Sequence, residues 1–336
     1  MRGLAALLLC LSLAAPLFAD PIRVASFNTE LSRKGPGLLL RDLQHDKDLQ
    51  VAAVIEVIAN ARPDILALQG IDWDLEARAL TALADRLAKA GVEYPYRLAL
   101  RPNSGQDSGL DLDGDGRAGG PGDAQGWGRF TGQGGIAVLS RFPILRQEVR
   151  DFTPLLWRDL PGAELPTHPD GAPFPSEAAQ AAQRLSSTGH WAVPIALPDG
   201  PRLTLLTFQA GPPVFDGPED RNGRRNADEI RLWQLYLDGA LGPAPAGHVV
   251  IAGGANLDPE RGAGRHRAIR SLLADPRLHD PLPGRPTAEF DGPGPLRVDY
   301  LLPSTDWRVE AAGLSAPAPK ASRHRLIWVD LAPDQP

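Results

Sequence analysis

Apolar residues recur along the chain in two patterns, one typical of strands and one typical of helices. Alternating or short continuous apolar runs, bounded by proline, glycine and aspartate, predict strands. They lie at residues 22–28, 64–68, 136–140, 191–195, 203–208, 249–252, 296–302, 307–311 and 326–331. Apolar residues spaced three and four apart predict helices at 49–61, 75–90, 228–237 and 268–273.

The order of these elements indicates the fold class. Strands outnumber helices, and the chain shows neither strict alternation of strand and helix nor strands alone. We therefore predict an α/β (α+β) protein, a two-layer β-sandwich flanked by helices. No repeat and no long polar linker divides residues 20–336, which we expect to form a single domain.

The beginning of the chain has the composition of a signal peptide. Arg2 gives a basic start, residues 4–17 form an apolar run, and Ala19 supplies a small residue for cleavage. The alternative is an uncleaved membrane anchor, but the run is shorter than the ~20 residues that span a bilayer. We therefore expect residues 1–19 to be removed. The mature protein is then periplasmic or extracellular and has no transmembrane segment.

Cysteine and charge limit the chemistry of the mature chain. The only cysteine, Cys10, lies within the predicted signal peptide, so the mature protein has no disulfide and no cysteine nucleophile or metal ligand. The formal charge of -6 argues against extended nucleic acid as a partner, because phosphate backbones bind basic surfaces. A phosphorylated small molecule at a local basic pocket is compatible with this charge.

Six short motifs lie at the ends of predicted strands. They are Ser26-Phe27-Asn28, residues 63–69 ending in Leu68-Gln69, residues 138–143, Asn256, Arg297-Val298-Asp299-Tyr300 and Ser322-Arg323-His324-Arg325. In this order the chain resembles the endonuclease/exonuclease/phosphatase superfamily from residue 22 to residue 331. Residues 212–225 are similar to a secreted bacterial branch. The resemblance implies the four-layer, deoxyribonuclease I-like architecture.

The resemblance also implies a reaction. Enzymes of this superfamily hydrolyse phosphate esters with Mg²⁺ or Mn²⁺, which carboxylate oxygens hold and which polarises the phosphoryl group. By position in the motifs, Asn28 and Asn256 match asparagines of the family. Asp299 and His324 match its aspartate–histidine pair. These four residues are the retained catalytic candidates.

Several other residues of the family's site are absent. Gly70 stands where the family has a metal-binding glutamate, and Gly254 stands where it has a water-activating aspartate. Arg323 replaces a metal-facing aspartate. Gln209 and Ala227 stand at positions where the secreted branch has histidines. The resemblance therefore implies a degenerate metal site.

These departures predict an inactive or strongly impaired phosphoesterase. One general acid or base contributes ~10²–10⁴-fold in rate, and the cation contributes further charge stabilisation. Arg323 would put a fixed positive charge where Mg²⁺ belongs and would hold a phosphate without supplying a nucleophile. The alternative is an active enzyme with relocated ligands, for which the nearby acids are Glu30, Asp72, Asp74 and Asp258.

A basic cluster precedes the predicted helix at 228–237. Arg221, Arg224 and Arg225 lie within five residues of one another. One interpretation places Arg224 and Arg225 with Arg323 as ligand-binding residues at a phosphate pocket. The other is a surface paired with Glu219 and Asp220, which contributes little to stability.

An aspartate-rich loop suggests a second type of cation site. Asp111, Asp113 and Asp115 occupy positions 1, 3 and 5 of a pattern that resembles the start of a calcium loop. The twelfth position is Gly122 instead of glutamate, and Asp123 follows it. The alternative is a solvated acidic loop. A third functional hypothesis is thus a calcium-stabilised interaction protein in which the degenerate site plays no part.

Overall fold

The computed structural model describes residues 21–198, 200–245 and 247–333, so the predicted signal peptide lies outside the described residues. The helices are α1 (Leu38–Gln44), α2 (Leu49–Ala61), α3 (Arg78–Lys89), α4 (Glu177–Ala182), α5 (Arg221–Leu237) and α6 (Arg267–Leu273). The strands are β1 (Ile22–Leu31), β2 (Ile65–Ile71), β3 (Tyr96–Leu98), β4 (Gly135–Ser140), β5 (Arg150–Asp151), β6 (Gly189–Ala196), β7 (Arg202–Gln209), β8 (Val249–Gly254), β9 (Ala288–Phe290), β10 (Gly294–Leu296), β11 (Asp299–Pro303), β12 (Trp307–Leu314) and β13 (Ile327–Pro333). Among the described helices, none is long and apolar enough to cross a membrane.

Two sheets form the centre of the protein. The first has six strands in the order β12-β13-β1-β2-β4-β3, and the second has five in the order β11-β8-β7-β6-β5. β1 and β2 are parallel, as are β7 and β8, whereas the other neighbours in these two sheets are antiparallel. The short strands β9 and β10 form a separate antiparallel hairpin.

Alternation of side chains along the strands builds three apolar layers. In β2, Ile65 and Ala67 pack between the two sheets, while Leu66 and Leu68 pack against α1, α2 and α3. The outer face of the second sheet is covered by α5 and α6. Because successive side chains of a strand point to opposite faces, the result is helix–sheet–sheet–helix. The predicted two-layer sandwich with flanking helices is confirmed.

The helix α2 has the bounds that the sequence predicts. The Asp48 carboxylate accepts a hydrogen bond of 2.8 Å from the backbone N–H of Val51, which satisfies one of the free donors at the helix start. The helix ends at Ala61 because Arg62 is left-handed, with φ 49°, and Pro63 follows.

Two predicted helices differ from the structure in their bounds. The segment predicted as 75–90 splits into a 3₁₀ turn at Leu75–Ala77 and α3, because Glu76 and Ala77 have positive φ. α5 begins at Arg221 instead of residue 228. Its first two turns are polar but buried, so no apolar period marks them.

The strand ends gather the motif residues at one rim of the sandwich. Asn28 of β1 is opposite Gln69 of β2, and Gln209 of β7 is opposite Gly254 of β8. Asp299, the first residue of β11, is also opposite Gly254. Parallel neighbours end at the same edge of a sheet, so residues distant in sequence meet there.

Candidate functional site

A buried histidine–aspartate pair lies at the centre of this rim. His324, in the loop before β13, places Nδ1 2.7 Å from Oδ2 of Asp299. Their side chains are only 4% and 3% exposed. Burial lowers the pKa of His324, but the charge and hydrogen bond of Asp299 outweigh burial, so this pKa is raised above its ordinary value. The two residues that match the family's pair therefore contact each other.

Asn28 lies beside the same imidazole. Its Nδ2 atom is 3.4 Å from Nε2 of His324. When the ring is neutral and its Nδ1–H donates to Asp299, Nε2 can accept a hydrogen bond from the Asn28 amide. The Ser322 hydroxyl donates to the Asn28 backbone oxygen at 2.8 Å and accepts from the His324 N–H at 3.0 Å. Three of the four retained candidates thus form one cluster.

An ion pair lies next to this cluster. Arg323 donates from Nε to Oε1 of Glu30 at 2.8 Å, and its Nη2 donates to the same oxygen. The Arg323 backbone N–H donates to Oε2 at 2.8 Å. Burial raises the pKa of Glu30, but the hydrogen bonds from Arg323 outweigh burial and the pKa is lowered. In this structure the guanidinium therefore binds Glu30, which differs from its predicted role as a phosphate-facing cation.

The position of the missing glutamate has no room for a side chain. Gly70 has φ +67°, and a Cβ there would lie 2.4 Å from Oδ1 of Asn28 and 3.0 Å from the backbone N of Glu30. The register of β1 against β2 shifts between Asn28 and Leu31, so an extra residue of β1 bulges against Gly70. The backbone conformation at residue 70 therefore leaves no space for the carboxylate that the family has at this position.

Gln209 fills the space of the second missing carboxylate. A Cβ on Gly254 would lie 2.3 Å from Oε1 of Gln209. This oxygen is buried and has no hydrogen-bond partner among the described residues. An amide thus occupies the place where the family has an aspartate, and amide oxygens bind hard cations more weakly than carboxylates do.

The acids considered as relocated ligands have other partners. Glu30 is held by Arg323, and Asp74 caps α3 through the Ala79 N–H at 2.8 Å. Asp72 and Asp258 accept hydrogen bonds from the backbone N–H groups of Arg33, Gly134, Glu260, Arg261 and Arg297. Among the described residues, the only grouping of three or more potential metal ligands lies elsewhere, in the aspartate-rich loop. The residues of this rim do not fit a hard divalent cation.

Ala227 and its neighbour serve the packing of α5. Ala227 is buried, and the buried Asp228 carboxylate accepts a hydrogen bond of 2.7 Å from Nε1 of Trp157. Arg231 donates to the same carboxylate at 2.8 Å. This part of the helix therefore carries no free ligand toward the rim.

The predicted basic cluster separates into distinct environments. Arg225 is buried, and its Nε donates to the Leu185 oxygen at 2.8 Å while Nη2 donates to the carbonyls of Gln125, Arg184 and Ser186. Burial lowers its pKa to about 10. Arg224 donates from Nε to the backbone oxygen of Glu219 at 3.2 Å. The side-chain pairing with Glu219 and Asp220 is wrong, because Asp220 binds Arg265 instead.

A cleft of about 770 Å³ opens beside the start of α5. Its wall includes Gln209, Asn256, Arg221 and Arg225. Asn256 is left-handed, with φ 51°, and its Nδ2 donates to the Ala210 oxygen at 2.7 Å. Clefts of this volume hold small molecules. The fourth retained candidate thus belongs to the cleft wall, together with one degenerate position.

Glu229 supports the cleft wall from behind and was not predicted from the sequence. Its Oε2 accepts from the Gly211 N–H at 2.8 Å and from the Ser187 hydroxyl at 3.1 Å. Burial raises the pKa of Glu229 to about 7. Gly211 and Ser187 both line the cleft. The only sequence signal for this role was the polar composition around the start of α5.

The aspartate-rich loop brings its three carboxylates together. Ligand oxygens of Asp111, Asp113 and Asp115 lie within 4.8 Å of one another. The Asp111 carboxylate also accepts from the backbone of Gly114 and Gly116, as in a self-capped turn. The Asp123 carboxylate, which is not one of the three, accepts from the Leu112 N–H at 2.9 Å and from the Gly120 N–H at 2.8 Å. Calcium binding here stays a prediction.

The fold and the rim together define a class of protein. Two stacked sheets between helices, with a histidine–aspartate pair and asparagines at the strand ends, make a deoxyribonuclease I-like, phosphoesterase-type protein. The model of the Endonuclease/Exonuclease/phosphatase family matches residues 25–324. The chain belongs to this family. No curated protein sequence matches the chain.

Solved structures share the fold at low sequence identity. An endonuclease/exonuclease/phosphatase from Beutenbergia cavernae has a TM-score of 0.58 at 18% identity, over 94% of this chain and 72% of that chain. Sphingomyelinase C from Streptomyces griseocarneus has a TM-score of 0.51 at 17% identity, over 93% and 99% of the two chains. A Bacteroides vulgatus endonuclease/exonuclease/phosphatase has a TM-score of 0.53 at 13% identity, over 94% and 100%. At these identities the likeness supports the fold alone.

Proposed function

We propose that this protein is an exported family member that no longer hydrolyses phosphate esters and instead binds a phosphorylated small molecule beside the histidine–aspartate pair. The observation that carries the proposal is the ion pair between Glu30 and Arg323. Arg323 stands at a position that is metal-facing in the family, and the nearest acid is already neutralised by it. Members of the family generally depend on a divalent metal.

The remaining groups favour binding over turnover. Protonated His324, whose pKa Asp299 raises, would donate from Nε2 to a phosphate oxygen, and the Asn28 amide has a second N–H to donate. Without a cation nothing lowers the pKa of an attacking water from its bulk value, and developing charge on phosphate loses its main stabilisation. The site thus retains recognition groups while the groups that activate water are gone.

The test is hydrolysis of aryl phosphomonoesters and phosphodiesters by the mature chain with Mg²⁺, Mn²⁺ or Ca²⁺. The controls are the same assays with a chelator and with His324→Ala. We expect the rate of the wild-type protein to equal that of His324→Ala under every condition. Chelator-sensitive turnover that disappears in His324→Ala would overturn the proposal and would support the relocated-ligand alternative.

Export is tested separately. Protein expressed from the full sequence should appear outside the cytoplasmic membrane with Asp20 as its first residue, because cleavage is expected after Ala19. N-terminal sequencing of the envelope or culture fraction measures this directly. A product that keeps the residues before Asp20 would contradict cleavage at this position.

A further inference from the structure

Arg221 is a buried cation without a partner. It is the first residue of α5 and is only 8% exposed. Among the described residues it forms no hydrogen bond and no ion pair within 4.0 Å, and its Nε is buried and unsatisfied. Burying an unpaired charge is costly. Arg221 also lines a cleft. A negatively charged ligand in this cleft would supply the ion-pair partner that the buried guanidinium lacks.

Two of the three described charged residues that line the cleft are cationic. Its charged lining residues, among those described, are Arg221, Arg225 and Asp113. Arg221 and Arg225 are one helical turn apart, so both face the cleft from α5. Asp113 is exposed at the mouth of the cleft, and together with Asp123, Asp216 and Glu219 it offsets part of the positive charge of Arg221 without forming an ion pair with it. Arg225 already donates to four backbone carbonyls. Arg221 is therefore the guanidinium left for a planar, bidentate contact with phosphate or carboxylate oxygens, and Arg225 adds positive charge behind it.

Two exposed aromatic side chains line the same cleft. Trp127 is 60% exposed and Phe215 is 90% exposed. Both belong to the cleft lining, with Pro212 and Val214 nearby. Large aromatic surfaces left in water at a concave site mark places where a ligand is bound. Their flat faces suit a planar ring, which stacks on an aromatic side chain whatever its hydrogen-bonding groups.

We propose that the cleft binds a phosphorylated ring compound of nucleotide size, with its phosphate on Arg221 and its ring on Trp127 and Phe215. The cleft volume of about 770 Å³ accommodates such a molecule. This inference rests on the proposed function in one respect, since both require a phosphorylated ligand. It goes further in naming the ring and in assigning the phosphate to α5 instead of the histidine–aspartate pair.

The test is calorimetric titration of the mature protein with adenosine 5′-monophosphate, ribose 5-phosphate and adenosine. We expect the nucleotide to bind best, because it alone supplies both the phosphate and the ring. Arg221→Met should weaken nucleotide binding by about tenfold or more, since the contact with a buried charge is lost. Trp127→Ala and Phe215→Ala should each weaken it by about fivefold and leave ribose 5-phosphate unchanged.

The controls are Tyr96→Ala, an exposed aromatic outside the cleft, and Arg202→Ala, an exposed arginine paired with Glu148. Both should bind the nucleotide as the wild type does. If Arg221→Met does not fold, Arg221→Lys and the two exposed aromatic variants keep the test decisive. Equal binding by the wild type and by the aromatic and Arg221 variants, or no binding at millimolar nucleotide, would overturn the inference. Nucleotide binding together with metal-dependent hydrolysis would overturn only the proposed loss of catalysis.

Discussion

Oε1 of Gln209 lies at the point where a side chain on residue 254 would begin, because a Cβ on Gly254 would be 2.3 Å from it. The two positions are therefore sterically coupled, because the absence of a side chain at Gly254 of β8 leaves the space that the Gln209 amide of β7 occupies. The loss of the family's aspartate at 254 is tied to the residue at 209. Replacing one of them alone does not recreate the family's site.

Gly254→Asp should destabilise the protein by about 1–3 kcal/mol, because the new side chain overlaps Gln209 in a packed layer. The double variant Gly254→Asp with Gln209→Ala should recover most of this loss, and urea denaturation measures both. Gly35→Asp is the matched control, since its Cβ would meet only Leu38, at 3.7 Å. Equal stability of the single and double variants would refute the steric coupling.

Gly70→Ala should cost about 1–3 kcal/mol for two separable reasons, its positive φ and its contact with Asn28. Gly292→Ala is the control for the first reason alone, because Gly292 has φ +92° with no atom within 4 Å of the added Cβ. Denaturation midpoints of both variants give the difference. If Gly70→Ala costs no more than Gly292→Ala, Asn28 moves aside freely and the site can accept a side chain there.

The sequence predicted the layers well, because period-2 alternation reports directly which faces of a strand are buried. It predicted the partnership of His324 with Asp299 through motif order. It did not predict the ion pair between Glu30 and Arg323, since this contact depends on a bulge in β1 that leaves Glu30 with φ 50°. It also missed the buried polar start of α5, where Arg225 is satisfied by carbonyls from distant loops.

The coupling between Glu30 and Arg323 should be about 0.5–1 kcal/mol at pH 7, since Arg323 is partly exposed and solvent screens the pair. A double-mutant cycle with Glu30→Gln and Arg323→Met measures it. The pKa of Glu30 is lower in the folded protein than in the unfolded chain. The ion pair therefore stabilises the protein fully at pH values above the pKa of the unfolded chain, and this stabilisation is lost as pH falls through the pKa of the folded protein. The exposed pair Arg202–Glu148 is the comparison and should couple more weakly. A Glu30–Arg323 coupling that is no larger, or that persists in acid, would contradict the structure.

The pKa of His324 should be higher in the wild type than in Asp299→Asn. Burial lowers the pKa of His324, but in the wild type the negative charge of Asp299 raises it by more. The asparagine amide of Asp299→Asn carries no charge and cannot offset burial. Proton NMR titration of the imidazole measures both values, with exposed His45 as the reference signal. Because the folded pKa is raised, the pair stabilises the protein below the unfolded pKa. This contribution disappears as pH rises through the folded value. An unchanged titration in Asp299→Asn would mean that the pair is not formed in solution.

Glu229→Gln should change how stability depends on pH. Burial raises the folded-state pKa of Glu229 to about 7, so the carboxyl group favours the folded state below its unfolded pKa. This contribution is lost as pH rises through about 7. From pH 5 to pH 8, the free energy of unfolding of the variant should therefore rise by on the order of 1–3 kcal/mol relative to that of the wild type. Urea denaturation at each pH measures this difference. Glu56→Gln, at an exposed position of α2, should show no such trend. If the stability of Glu229→Gln relative to the wild type rises instead as pH falls, the hydrogen bonds from Ser187 and Gly211 stabilise the ionised carboxylate more than burial destabilises it.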